Sequence, residues 1–149
     1  MSSLSADQTV IEKVLHQRAE KALSEVRRHY PEATLEIEVM KDRGILTACE
    51  DRSVLSKEFV ETEESIRSPQ RLYEYYRVLK GRARLVLIVP KENAVETFLH
   101  MLEFNQIWLF YYQIYFYDED GNIRWMDRTT WCELAGRPYD TPHHSPEIA

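Results

Sequence analysis

Apolar residues near the start of the chain recur at helical spacing: Ile11, Val14, Leu15, Ala19, Ala22, Leu23, Val26 and Tyr30. Positions three and four apart share one helix face, so "SADQTVIEKVLHQRAEKALSEVRRHYP" is expected to form a long amphipathic helix. Ser5 and Gln8 stand at capping-box spacing at its start, and the helix closes before Pro31. The period then drops to two. In "ATLEIEVM", Leu35, Ile37 and Val39 alternate with Glu36 and Glu38, the signature of a half-buried strand. "KDRG" turns the chain; "ILTACE", the turn "DRS" and "VLSKEFVE" then add two strands, so residues 34–61 read as an antiparallel meander.

A helix is expected next, with Ser68 as its cap and Pro69 at its first position, where a missing N–H costs nothing. Leu72, Tyr73, Tyr76 and Leu79 line one face, and Lys80-Gly81 ends it. "ARLVLIVP" is almost continuously apolar, as a strand covered on both faces must be. Helical spacing returns through Val95, Phe98, Leu99 and Leu102, with Asn105 as the stop. "WLFYYQIYFY", the turn "DEDGN" and "IRWMD" then read as a hairpin. The expectation is one α/β domain over residues 1–135, in the order αβββαβαββ. Its mixed sheet contains the three-strand meander and is flanked by helices. The proline-rich stretch 136–149 is expected to be a flexible tail.

Composition narrows the picture. A chain of 149 residues is one domain's worth, and 44% hydrophobic residues are enough to build a core. The balance of 19 basic against 25 acidic residues disfavours sequence-independent binding to phosphate backbones, which lysine and arginine must neutralise. Cys49 and Cys132 are too few and too far apart for a staple or a metal site, which suits free thiols in a reducing interior. "MSSLSADQ" lacks a signal-peptide pattern. The longest near-apolar run, "IWLFYYQIYFY", is about half the ~20 residues of a membrane-spanning helix, so a cytoplasmic protein is expected, with no membrane partner.

The order helix, meander, helix, buried strand, helix, strand over residues 8–117 resembles the core of the restriction-endonuclease-like superfamily, the PD-(D/E)XK nucleases. "FVETEESIRSPQRLYEYYRVLKG" and "GRARLVLIVPKENAVETFL" are the stretches most similar to its members. In that family an aspartate at the start of the second strand and a glutamate on the third hold magnesium, and a lysine two residues later orients or activates the attacking water. The ion stabilises charge at phosphorus and lowers the pKa of its bound water. Laying "RGILTA" against a family-like "PDILTA" puts Gly44 at the aspartate; laying "FVET" against "EVKT" puts Phe59 at the glutamate and Glu61 at the lysine. On this register the metal motif is degenerate. The resemblance then implies a non-catalytic binding or assembly module without a cofactor.

A shifted site is the alternative. With the turn near Asp51 and Arg52, position 44 or 45 falls opposite 58 or 59. Asp42 and Glu58 could then approach as magnesium ligands with Glu38 and Glu61 nearby and Lys41 or Lys57 as the cation, making the chain a metal-dependent nuclease. Asp51 lies seven residues from Glu58, about 23 Å along a strand at ~3.3 Å per residue, too far to join them. A solvated strand end, with acids placed where a helix dipole favours them, explains the same carboxylates.

A third reading is nucleic-acid binding without cleavage through Arg71, Arg77, Arg82 and Arg84, although Glu74 lies one turn from Arg71 and Arg77. The tyrosine-rich side of the hairpin, with Tyr111, Tyr115 and Tyr117, suits either an interface with a second copy or another protein, or cover by one of the chain's own helices. A homodimer through this hairpin is the expected assembly. His16, His29 and His100 lack the i, i+4 partners of a zinc site, and His143 and His144 fall in the tail.

Overall fold

The computed structural model describes residues 6–105 and 112–136. Ser5 of the expected capping box, the hairpin residues 108–111 including Tyr111, and the tail from residue 137 lie outside the described residues. The chain runs α1 (Ala6–Arg27), β1 (Thr34–Val39), β2 (Arg43–Glu50), β3 (Ser53–Glu61), α2 (Glu63–Ile66) and α3 (Arg71–Lys80). It continues with β4 (Arg84–Pro90), a single 3₁₀ turn (Lys91–Asn93), α4 (Ala94–Asn105), β5 (Tyr112–Tyr117), β6 (Ile123–Trp125) and α5 (Arg128–Ala135).

The six strands form one mixed sheet in sequence order, β1-β2-β3-β4-β5-β6. The meander pairs antiparallel, β3, β4 and β5 pair parallel, and β6 returns antiparallel. Parallel neighbours need a crossover between them, and the helical segments after β3 and β4 supply it. Both crossovers pack on one face, where Tyr75, Leu79, Ala94 and Met101 meet Ile45, Phe59, Leu85, Leu87, Val89, Ile114 and Phe116. Helix α1 covers the other face, its Ile11, Val14 and Leu15 packing on Leu46, Val60, Val86, Ile88 and Tyr117. The sheet is thus the middle of three layers, and the continuous apolar run of β4 has cover on both sides, as its sequence requires.

Three local readings change. Strand β2 begins at Arg43 rather than Ile45, so Arg43 and Gly44 belong to the sheet instead of the turn. Glycine leaves room there for α1: a Cβ at position 44 would stand 2.5 Å from Leu15 Cδ1, so the Leu15 side chain would have to shift to admit one. The helix expected from Ser68 is preceded by a separate one-turn helix. Thr62 caps α2 in a reciprocal box with Ser65, Ser68 and Pro69 lie in the following turn, and α3 starts at Arg71 after Gln70. Glu63 and Glu64 fall in the first turn of α2 instead of preceding a helix.

Helix α5 has no counterpart in the pattern reading. Asp127 caps it by accepting from the Thr130 N–H, and Gly136 ends it at φ 70°, the left-handed conformation that glycine adopts without penalty. Its Trp131 meets Phe98 of α4 with ring centroids 5.2 Å apart. No described helix is long and apolar enough to cross a membrane.

Candidate functional site

Strand β3 carries the two carboxylates on which the shifted-site reading depends. The register pairs Leu46 with Glu58, Ile45 with Phe59 and Arg43 with Glu61, so the turn sits where the sequence argument put it. Successive strand residues alternate faces, and Glu58 and Glu61 are three apart. Glu58 therefore points under α1 and Glu61 under α3. Both are buried, at 1% and 0% exposure, with the β-sheet between them.

Under α1, Arg18 grips Glu58 with a fork: Nε donates to Oε1 and Nη2 to Oε2, each at 2.8 Å. The guanidinium stacks 4.7 Å from the centre of the Tyr115 ring. Burial alone would lower the Arg18 pKa, but the hydrogen bonds and charge of Glu58 outweigh it and raise it. Arg84 of β4 stands alongside. Its Nη2 donates to Glu25 of α1 at 2.7 Å and to Gln113 of β5 at 3.3 Å, and lies 3.9 Å from Glu58. Its buried Nε meets no acceptor among the described residues.

Under α3, Arg43 makes the same kind of fork on Glu61, Nε to Oε1 at 3.0 Å and Nη2 to Oε2. Here the carboxylate gains two further donors. Ser65 Oγ donates to Oε1 at 2.6 Å and Tyr75 Oη to Oε2. A carboxylate offers about four acceptor positions, so Glu61 is filled. Arg43 also donates to Glu74 at 3.1 Å, which Arg71 bonds from the other side at 3.2 Å. Its pKa, too, is raised: Glu61 and Glu74 outweigh the lowering by burial. The Tyr75 hydroxyl is pushed well above the usual phenol value, first by burial and then by the Glu61 charge.

The other proposed site residues do not converge on these two. Glu38 is exposed on β1 opposite Ile45. Asp42 is half-buried after β1, where its backbone carbonyl accepts from the Thr62 hydroxyl at 2.9 Å. Lys57 Nζ lies 5.8 Å from the centre of the Phe59 ring, and Lys41 is exposed. Gly44 and Phe59, aligned above with the family's two metal ligands, face opposite sides: Gly44 meets Leu15 of α1, while Phe59 packs 5.2 Å from Tyr75 of α3. No group of three or more His, Cys, Asp or Glu among the described residues is arranged to hold a metal. Cys49 and Cys132 are free thiols, and His16, His29 and His100 are exposed.

The four arginines proposed for nucleic acid also separate. Arg84 serves the α1 side, Arg71 donates to the Ser65 carbonyl and Glu74, and Arg77 and Arg82 are exposed. Tyr115 and Tyr117, expected at an interface with a second chain, lie on the face that α1 occupies. Tyr117 is 8% exposed, and its hydroxyl donates to the Glu61 carbonyl at 2.7 Å. The surface they would offer is taken by the chain's own first helix.

Pattern reading missed Arg18 and Arg43, the partners of both carboxylates. A signal for the first existed: Arg18 sits three and four residues after Leu15 and Val14 and four before Ala22, squarely in the apolar stripe of α1. A charge in such a stripe asks for a buried counter-charge. Searches among protein-family models, curated proteins and solved structures return no match to this chain.

Proposed function

We propose that the chain is a non-catalytic binding or assembly module, built on the restriction-endonuclease-like plan with its metal motif degenerate. One observation carries the reading: the two carboxylates of β3 are clamped by separate buried arginines on opposite faces of the sheet. A magnesium ion needs several oxygen ligands converging on one point, and a carboxylate that already accepts from an arginine fork, a serine and a tyrosine would have to release them first. The element order that carries the resemblance supports the plan, and the burial of Glu58 and Glu61 suits structural charges better than ligands open to substrate.

The test is calorimetric titration of the purified protein with Mg²⁺ and Mn²⁺, run beside cleavage assays on single- and double-stranded DNA and RNA. The expected outcome is no saturable heat and no cleavage, for the parent and for Glu58→Gln alike. Saturable metal binding that disappears in a folded Glu58→Gln protein, with metal-dependent cleavage lost in parallel, would replace the module by the nuclease.

A further inference from the structure

We propose that the free edge of β1 is the docking site, and that its occupant is an extended segment of a partner protein with alternating apolar and basic residues. The inference rests on reading the chain as a binding module. Among the described residues, strand β1 ends the sheet and pairs only with β2, so that alternate backbone N–H and C=O groups along its outer side have no strand beside them and can accept another. Its side chains are unusual for an edge. Ile37 and Val39 are 51% and 43% exposed on the face where Leu35 packs toward α1, and Met40 beyond them is 37% exposed. On the opposite face Glu36 and Glu38 are exposed, and neither has an ion-pair partner among the described residues. The other edge, β6, is three residues long and offers little to pair with.

Charge decides between occupants. A second copy pairing antiparallel about a two-fold axis normal to the sheet would keep like faces together. Centred on Ile37, it would set Glu36 against Glu38 twice; moved by one residue, it would set Glu36 against Glu36 or Glu38 against Glu38. With the axis in the sheet plane instead, each copy's glutamates share a face with the other's Ile37 and Val39. A strand with lysine or arginine opposite Glu36 and Glu38, and apolar residues opposite Leu35, Ile37 and Val39, satisfies both faces at once. It would extend the sheet by backbone hydrogen bonds while covering the exposed aliphatic row.

The probe is a capped octapeptide alternating lysine and valine, with a glutamate–valine octapeptide as control, titrated into the ¹⁵N-labelled full chain. Saturable amide shifts confined to β1, with slowed hydrogen exchange there, are expected for the lysine peptide only. In the double variant Glu36→Lys/Glu38→Lys, shown by its melting curve to remain folded, the preference should invert, each affinity moving about tenfold or more. Absence of β1 shifts at millimolar lysine peptide overturns the proposal, as does binding indifferent to the charge reversal. Sedimentation on the same samples supplies a third way to overturn it: a parent dimer that Ile37→Pro dissociates would assign the edge to a second copy. Metal titration reads the module separately, so a metal-dependent activity would refute that reading without being mistaken for a failure at β1.

Discussion

The two arginine–carboxylate centres of this protein use the same fork and differ in what surrounds it. The Glu61 centre is assembled from neighbours: Arg43 across the hairpin, Ser65 in the next turn, Tyr75 one helix on, all within residues 43–75. Every acceptor position of its carboxylate is used. The Glu58 centre is assembled from distant parts, Arg18 and Glu25 of α1, Arg84 of β4 and Gln113 of β5. It retains spare capacity, since Arg84 stands 3.9 Å from Glu58 with its Nε unused. A buried ion pair repays desolvation only when its remaining lone pairs and protons are also satisfied, so the closed centre should be brittle and the open one forgiving.

The largest effect should come from Arg43→Met, because the next cation, Arg71, stands 3.8 Å from Glu61 with its Nε already donating to the Ser65 carbonyl and its Nη1 to Glu74. A loss of about 3–5 kcal/mol in urea unfolding is expected. Arg18→Met should cost less, roughly 2 kcal/mol, because Arg84 can turn onto Glu58. Adding Arg84→Met to Arg18→Met should then cost more than the two single losses summed. Equal losses from Arg43→Met and Arg18→Met, or an additive double variant, would show that the spare cation does nothing.

Tyr75→Phe sharpens the contrast from the closed side, with about 1–2 kcal/mol lost as Glu61 gives up one donor. It also carries a pH signature. The folded-state pKa of Tyr75 is raised, so its contribution is complete below the unfolded phenol value near ~10 and is lost as pH rises toward the folded one. The parent should therefore lose stability more steeply than Tyr75→Phe above about pH 10. A parallel decline in both proteins would mean that the Tyr75 hydroxyl has the same pKa folded and unfolded.

The smallest effect lies outside both centres. Asp127 is held below the ordinary carboxylate value, chiefly by the Thr130 N–H, so its contribution is full above the unfolded value and lost as pH falls through the folded one. Asp127→Ala should cost about 1 kcal/mol at neutral pH through loss of the cap. Its acid limb below about pH 4 should be shallower than the parent's. An unchanged acid limb would assign acid sensitivity to other carboxylates.

Much of the fold was written in the sequence's periodicity. Alternation in "ATLEIEVM", the uninterrupted apolar run of β4 and the helical stripe of α1 each report a local burial pattern, and such patterns survive without knowledge of the partner element. The strand register near 45 and 59 followed from turn placement in the same way. Helix α5 was less legible because its evidence is a cap and a stop, Asp127 and Gly136, around a short segment with little apolar period. The separate turn of α2 was hidden by a stronger-looking signal, the Ser68-Pro69 pair, which forms the turn between helices instead.

The site was a tertiary decision. The spacing of Glu58 and Glu61 puts them on opposite faces of any strand, which the reading of one shifted cluster did not take into account. What the sequence alone did not assign was the partner of each. Arg18 stands 40 residues from Glu58, and nothing local distinguishes it from the solvated arginines around it except its place in an apolar stripe. Only packing of α1 across the sheet brings that charge to its counter-charge. Only the β2–β3 ladder sets Arg43 beside Glu61 and closes the carboxylate with Ser65 and Tyr75. Periodicity records whether a position is buried, because burial repeats with the geometry of one element; it holds no record of which distant charge will lie opposite, because that distance is fixed only when the elements pack.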